Sequence, residues 1–310
     1  MLDSAQIADV RRFNRVVTQR VGALSDRFLA RNRPLGEARL LWEIGPDGCE
    51  VRELRGRLEL DSGYVSRLLR ALEDDGLVRV TTGPADRRIR VARLTRAGLA
   101  ERRLLDRRSD ELAASLLAPL EESQRSKLVA AMGTVERLLT LASVEIRDAD
   151  PAGPDARRCL DAYAAELNSR SHSRVFDPSV GSTAEPHEVT PPSGCFVVAY
   201  LHGEPVGCGA VKHHPGEPSD VKRMWISPDV RGIGLGRRLL AELEARVLES
   251  GVTVARLETN GVLDEAIALY RSAGYREVAP FNDEPFADHW FEKELTPAGR
   301  PRAAARPAAV

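Results

Sequence analysis

Val221-Lys222-Arg223-Met224-Trp225-Ile226, then Ser227-Pro228-Asp229-Val230, then Arg231-Gly232-Ile233-Gly234-Leu235-Gly236: this run decides the fold of the second half of the chain. The first block reads as a strand and the second as a turn. The third opens a helix whose Leu239, Leu240, Leu243 and Val247 recur on one face. A glycine-rich turn at a helix start exposes main-chain N–H groups at the positive end of the helix dipole. Glycines let that backbone approach an anion closely, which suits a pyrophosphate. A generic tight turn accounts for such a cluster about as well. The dinucleotide fingerprint fits poorly: its Gly-x-Gly-x-x-Gly order is absent, and no regular βαβ repeat with an acidic residue on the next strand follows.

Outward from this run, strands are predicted near 195–200, 205–213 and 219–227, with the glycine-led helix at about 234–250. Leu257-Glu258-Thr259-Asn260 closes a strand over about 252–258. A helix at about 262–273 leads through Ala266-Ile267-Ala268-Leu269-Tyr270-Arg271-Ser272-Ala273 to Gly274-Tyr275. The last strand is His289-Trp290-Phe291-Glu292-Lys293-Glu294-Leu295.

With Arg-x-x-Gly-x-Gly at 231–236 and the second motif at 257–275, this half resembles the GNAT superfamily of N-acetyltransferases. The resemblance implies an α/β fold with a mixed central sheet in which the strands at 219–227 and 252–258 splay apart to admit acetyl-CoA. It implies that main-chain groups of Met224, Trp225 and Ile226 hold the pantetheine and the thioester oxygen. Amides of Arg231, Gly232, Ile233, Gly234, Leu235, Gly236 and Arg237 would wrap the pyrophosphate, with Asn260 and Tyr270 near the thiol. The departing thiolate needs a proton, and the Tyr270 phenol can supply it; packing on the sheet is the alternative for that residue. Glu258 could act as general base directly or through a water, hold substrate, or form a salt bridge. His213 and His214 are further candidates for the base. Arg223 either faces an acidic group of the acceptor or is exposed. The loop at Phe281-Asn282-Asp283-Glu284-Pro285-Phe286 is expected to border the acceptor amine. No metal is expected.

The first half turns on Gly63-Tyr64-Val65-Ser66-Arg67-Leu68-Leu69-Arg70-Ala71-Leu72, a helix with Val65, Leu68, Leu69 and Leu72 inward. Its other face offers Ser62, Tyr64, Ser66, Arg67 and Arg70. A helix fits the DNA major groove, where arginine and serine reach base edges or phosphates. Gly76 ends it, and a hairpin follows with Arg79, Arg87, Arg88, Arg90 and Arg93. Helices are expected over 5–30, 37–44, about 97–117 and about 120–141. This stretch, with Asp86-Arg87-Arg88 and Leu94-Thr95-Arg96-Ala97-Gly98, resembles the MarR family of winged-helix regulators. The resemblance implies a homodimer held by the first and last helices, recognition helices in successive major grooves of an operator, and a wing arginine in the minor groove. Asp86 would orient that arginine.

Composition supports the division. Residues 1–142 carry 26 Lys+Arg against 21 Asp+Glu, or +5, and residues 143–310 carry 19 against 25, or −6; together they give the net charge of −1. A positive half beside a negative one places a nucleic-acid partner on the first only. The chain thus reads as two domains. Residues 1–142 form a mainly-α winged helix-turn-helix domain and residues 143–296 a GNAT domain, with a tail at 297–310 expected to be disordered. Residues 168–194 are polar and expected to lack regular structure. Absence of a signal segment and of long apolar runs predicts a cytoplasmic protein that engages no membrane. Cys49, Cys159, Cys195 and Cys208 are expected as free thiols. The reading is a DNA-binding regulator joined to an enzyme that acetylates an amine of a small molecule or, as the lesser case, of a protein. The alternatives are a regulator whose second half only senses acetyl-CoA or a metabolite, and an enzyme that uses the first half to dimerise.

Overall fold

The computed structural model describes residues 3–24, 28–31, 33–82, 89–170 and 184–296. The chain divides into two compact units, Met1–Met132 and Gly133–Val310. That division falls inside a helix, ahead of the boundary expected near 142.

In the first unit, α1 (Ser4–Arg20) starts at an Asp3–Gln6 capping box. The helix expected over 5–30 therefore stops ten residues early. Gly22 takes φ +68, and a separate 3-10 turn at Phe28–Ala30 carries Leu29 in the left-handed region. In the sequence, apolar residues at helical spacing run on across the break. No residue of α1 is buried. Next come α2 (Leu35–Ile44), β1 (Cys49–Glu50), α3 (Val51–Leu58) and α4 (Ser62–Asp74). The hairpin is β2 (Val78–Thr82) and β3 (Arg90–Leu94), followed by α5 (Arg96–Leu117) and by α6 (Glu122–Ser143), whose residues from Gly133 on belong to the second unit. β1 has only two residues and no sequence signal, yet it joins β3 and sets the sheet order β1-β3-β2. Leu40, Leu41, Ile44, Leu54, Leu69 and Leu72 fill the core. Each fully buried side chain of this kind is worth roughly 1.5–3 kcal/mol. Thr95 caps α5 through the Gly98 amide at 3.1 Å and donates to Gly76 O at 2.7 Å. A Cβ on Gly98 would lie 2.0 Å from Leu77 O, so only glycine lets α5 seat on the hairpin.

In the second unit, β4 (Val144–Asp148) follows α6 directly, then α7 (Pro154–Arg170), β5 (Gly194–Leu201), β6 (Glu204–Lys212) and β7 (Ser219–Ile226). The glycine-rich turn leads to α8 (Leu235–Glu249), β8 (Val254–Thr259), α9 (Asp264–Ser272), β9 (Arg276–Val278) and β10 (His289–Glu294). Among the described residues the strands form one sheet, β4-β5-β6-β7-β8-β10-β9, antiparallel except where β7 meets β8. Period-2 alternation sends Val197 and Val211 to the side of Leu239, Leu240 and Leu243 from α8. Phe196, Val198 and Ala210 face Ala156 and Cys159 of α7 on the other. Part of the run expected to be irregular is ordered: α7 reaches Arg170, and Pro186–Val189 is a 3-10 turn.

Candidate active site and nucleic-acid interface

β7 and β8 pair at only two positions, Ser219 with Ala255 and Asp220 with Arg256. Beyond Asp220, β7 pairs with no strand but β6 among the described residues, so its other edge has no partner strand through Ile226. Opposite the opening, the β6–β7 register shifts between Cys208 and Ala210. Arg223 there takes φ +55, and its carbonyl accepts from Cys208 Sγ at 3.3 Å. A non-glycine residue in this region costs about 1–3 kcal/mol, and such strain gathers at functional sites.

Two cavities meet at the parted strands. The larger, about 520 Å³, runs past Met224 and Trp225 to the turn at Gly232, Gly234 and Gly236. Gly232 and Gly234 sit at φ +77 and +95. From Gly232 to Arg237, no main-chain N–H has an acceptor among the described residues. Six consecutive main-chain donors at the head of α8, at the positive end of the helix dipole, suit a diphosphate. The smaller cavity, about 90 Å³, is bordered by Lys222, Arg223, Glu258, Glu284 and Phe286. Tyr163 and Tyr270 line both. The Tyr270 hydroxyl lies 4.0 Å from Met224 Sδ. Burial above all, then the neighbouring Tyr163 and Glu258, raise the Tyr270 pKa and keep the phenol protonated. Burial likewise pushes Tyr163 up to about 12.

A chain of charges runs along the larger cavity. Arg170 bonds Glu166 and Glu265, each at 2.8 Å. Arg231 reaches Glu166 Oε2 at 2.5 Å, and Trp225 Nε1 donates to the same oxygen at 2.9 Å. Burial pushes the Glu166 carboxyl up, but the hydrogen bonds from Arg231 and Trp225 prevail and hold it below its usual range.

In the first unit, Asp61 caps α4 by accepting from Tyr64 N at 2.8 Å. Ser62, Tyr64, Arg67 and Arg70 are exposed and Ser66 is half-buried. The Arg67 guanidinium lies over the Tyr64 ring, 5.4 Å from its centroid. A groove of about 510 Å³ between α3, α4 and β3 is lined by Arg52, Arg55, Ser62, Ser66 and Arg90. None of Arg52, Arg55, Arg67, Arg70 and Arg90 makes an ion pair among the described residues. Asp86, Arg87 and Arg88 lie outside the described residues.

Comparison with known proteins follows the same two-part division. The family model for the acetyltransferase (GNAT) domain matches residues 192–277, and that for the MarR family matches 38–89. The chain is 33% identical over 123 residues to an IAA acetyltransferase of Azospirillum brasilense, covering 39% of this chain and 75% of that protein. The chain belongs to the GNAT acetyltransferases. Its N-terminal part is a MarR-type domain. The chain is also 29% identical to the uncharacterised N-acetyltransferase YjgM of Escherichia coli K12, over 40% of this chain and 77% of that protein. A solved GNAT acetyltransferase from Staphylococcus aureus Mu50 is 17% identical, with TM-score 0.42, covering 49% of this chain and 99% of that one. The GNAT domain is an acetyl-CoA-dependent acyltransferase.

Its residues divide as follows. Amides of Gly232 to Arg237 form the open turn, although the Leu235 side chain is core and Arg237 bonds Ser272 Oγ at 2.7 Å. The Arg231 side chain folds back, and its Nε and Nη2 reach Ile226 O at 3.0 and 2.8 Å, so that carbonyl is already engaged. Asn260 borders the smaller cavity and fastens its wall, donating to Phe286 O at 2.8 Å and accepting from Val262 N at 3.0 Å. Glu258 is ion-paired with Lys222. Both side chains are under 10% exposed, so the salt bridge among its expected roles is realised. The loop at 281–286 borders the cavity through Glu284 and Phe286. His213 Nδ1 meets Ser219 Oγ at 2.9 Å and His214 Nε2 lies 3.0 Å from Asp220 Oδ2, both at the paired end of β7, and neither ring lines either cavity. They are withdrawn as candidate bases. Tyr163, Glu166 and Arg170 carried no sequence signal: α7 has no motif, and only the sheet brings it to the gap. Among the described residues, no group of three or more His, Cys, Asp or Glu could hold a metal, and all four cysteines are free. No described helix is long and apolar enough to cross a membrane.

Proposed function

We propose that the GNAT domain acetylates the amine of a small molecule while the MarR-type domain binds operator DNA as a homodimer. The parting of β7 and β8, with Tyr270 at the junction of the two cavities, carries the first half of this reading. The larger cavity fits the acyl donor, because unbonded amides from Gly232 to Arg237 end it where a diphosphate would lie. Acetyl-CoA supplies the thioester. Main-chain groups of Met224, on the edge of β7 away from β6, orient the pantetheine arm, and its N–H faces the thioester oxygen. Tyr270, kept protonated by burial, holds a proton for the departing sulfur. Glu258, ion-paired with Lys222, takes a proton from the amine directly or through a water. A cavity of about 90 Å³ favours a small acceptor, and the relative named for IAA points the same way.

Exposed Ile7, Val10, Phe13, Val16 and Val17 on α1 support the homodimer, since a helix with no buried residue leaves its apolar face without cover. The unpaired arginines of α3, α4 and β3 support DNA contact. Incubation with acetyl-CoA and a panel of amines should release free thiol, and the thiol should track amide formation. Gel shift with DNA upstream of the gene should show binding that weakens steeply with salt. Coenzyme A binding without any acetylated amine would leave a sensor in place of the enzyme.

A further inference from the structure

Resting on the small-amine reading, we infer that the acceptor carries a carboxylate and that Arg223 binds it. On a regular strand, successive side chains alternate between faces. Here Val221, Lys222, Arg223 and Met224 all border the smaller cavity. The register shift between Cys208 and Ala210 and the left-handed backbone at Arg223 break the alternation. Bulges of this kind re-aim a side chain.

Charge pairing separates Arg223 from its neighbours. Lys222 and Glu258 are paired with each other. Arg256, two residues before Glu258, pairs with Asp220 at 2.6 Å. Arg223 is half-buried and has no carboxylate partner among the described residues. Its charge reaches the cavity, because it stabilises the ionised form of the Tyr163 phenol against burial. A guanidinium partly withdrawn from water and left unpaired is unfavourable until an anion arrives. Its planar fork matches a carboxylate with two parallel hydrogen bonds. The acceptor must also present a neutral amine towards Tyr270. One small molecule with both groups, an amino-carboxylate, satisfies the pocket.

The test compares matched acceptors on the full-length protein: phenylalanine, phenylalaninamide and 2-phenylethylamine, and alanine with alaninamide. Thiol release should show at least a tenfold higher kcat/KM for a carboxylate than for its amide. Arg223→Gln should raise KM for the carboxylate at least tenfold, leave kcat within about threefold, and erase the preference. Arg223→Lys should restore part of it. Equal use of carboxylate and amide by the wild type overturns the inference but leaves the acetyltransferase intact. So does a preference that survives Arg223→Gln. If no amine in the panel reacts, the small-amine reading itself falls. Calorimetric titration of the coenzyme A-saturated protein with the same pairs then reads Arg223 directly. Equal affinities, or no binding of either, overturn it.

Discussion

Cations around the parted strands of the second unit and cations on the groove face of the first are treated in opposite ways. Around the parted strands, Lys222 is locked to Glu258, Arg256 to Asp220, Arg231 to Glu166, and Arg170 to Glu166 and Glu265. On the face built by α3, α4 and β3, Arg52, Arg55, Arg67, Arg70 and Arg90 lack carboxylate partners among the described residues. Paired charges in a low-dielectric cavity fix side chains where chemistry needs a rigid frame. Unpaired arginines on a solvated helix face cost little and remain available to an external polyanion. Charge pairing thus separates residues that hold a site together from residues that meet a ligand. Arg223, the unpaired arginine of the smaller cavity, falls with the second group.

Four measurements can break or sharpen that contrast. Lys222→Met strands a buried carboxylate at Glu258. Breaking a buried pair costs about 3–5 kcal/mol, so thermal unfolding of the GNAT domain should fall clearly. An unchanged melt would show that this pair is not structural. Tyr270→Phe keeps the packing and removes the proton. Turnover should drop at least about 100-fold, as for other general acids, with coenzyme A affinity within threefold, and wild-type turnover would remove Tyr270 from the chemistry. Arg67→Ala should leave stability within about 0.5 kcal/mol yet weaken DNA binding by about 1–3 kcal/mol. An unaltered gel-shift midpoint would return that arginine to the ordinary surface.

The smallest effect concerns Glu101, which takes two bonds from Arg31 at 2.9 and 2.8 Å. The Arg31 bond lowers its pKa against the opposing effect of burial. A carboxylate with a depressed folded pKa adds stability above its unfolded value of 4.5, and that stability fades as pH falls through the lower folded value. Between pH 6 and pH 3 the melting temperature of the wild type should fall a few degrees more than that of Glu101→Gln, the scale of about 1 kcal/mol. Parallel curves would mean the bond adds no net stability.

Much of the fold was legible in the sequence. α4, α8 and the β2–β3 hairpin are local objects, set by apolar residues three or four apart, by alternation and by punctuating glycines. α1 misled because apolar residues at helical spacing run on past Gly22 and outweighed the stop signal that a glycine just beyond the Val21 cap carries. β1 could not be foreseen, since two residues carry no periodicity and gain strand geometry only by pairing with β3. In the candidate site, the glycine turn and Tyr270 came from motifs. Tyr163, Glu166 and Arg170 did not, because a plain amphipathic helix hides which of its polar residues will face a cavity.

Residue order alone settled the glycine cradle at the start of α8, the polar face of α4 and the split of charge between the halves, because each depends on neighbours within a turn or two of chain. Tertiary structure decided which charges pair, that Ile226 lends its carbonyl to Arg231, and that Arg223 turns into the smaller cavity. Those outcomes rest on the register shift in β6–β7 and on where β7 leaves β8, and a strand's register is fixed only when the whole sheet packs.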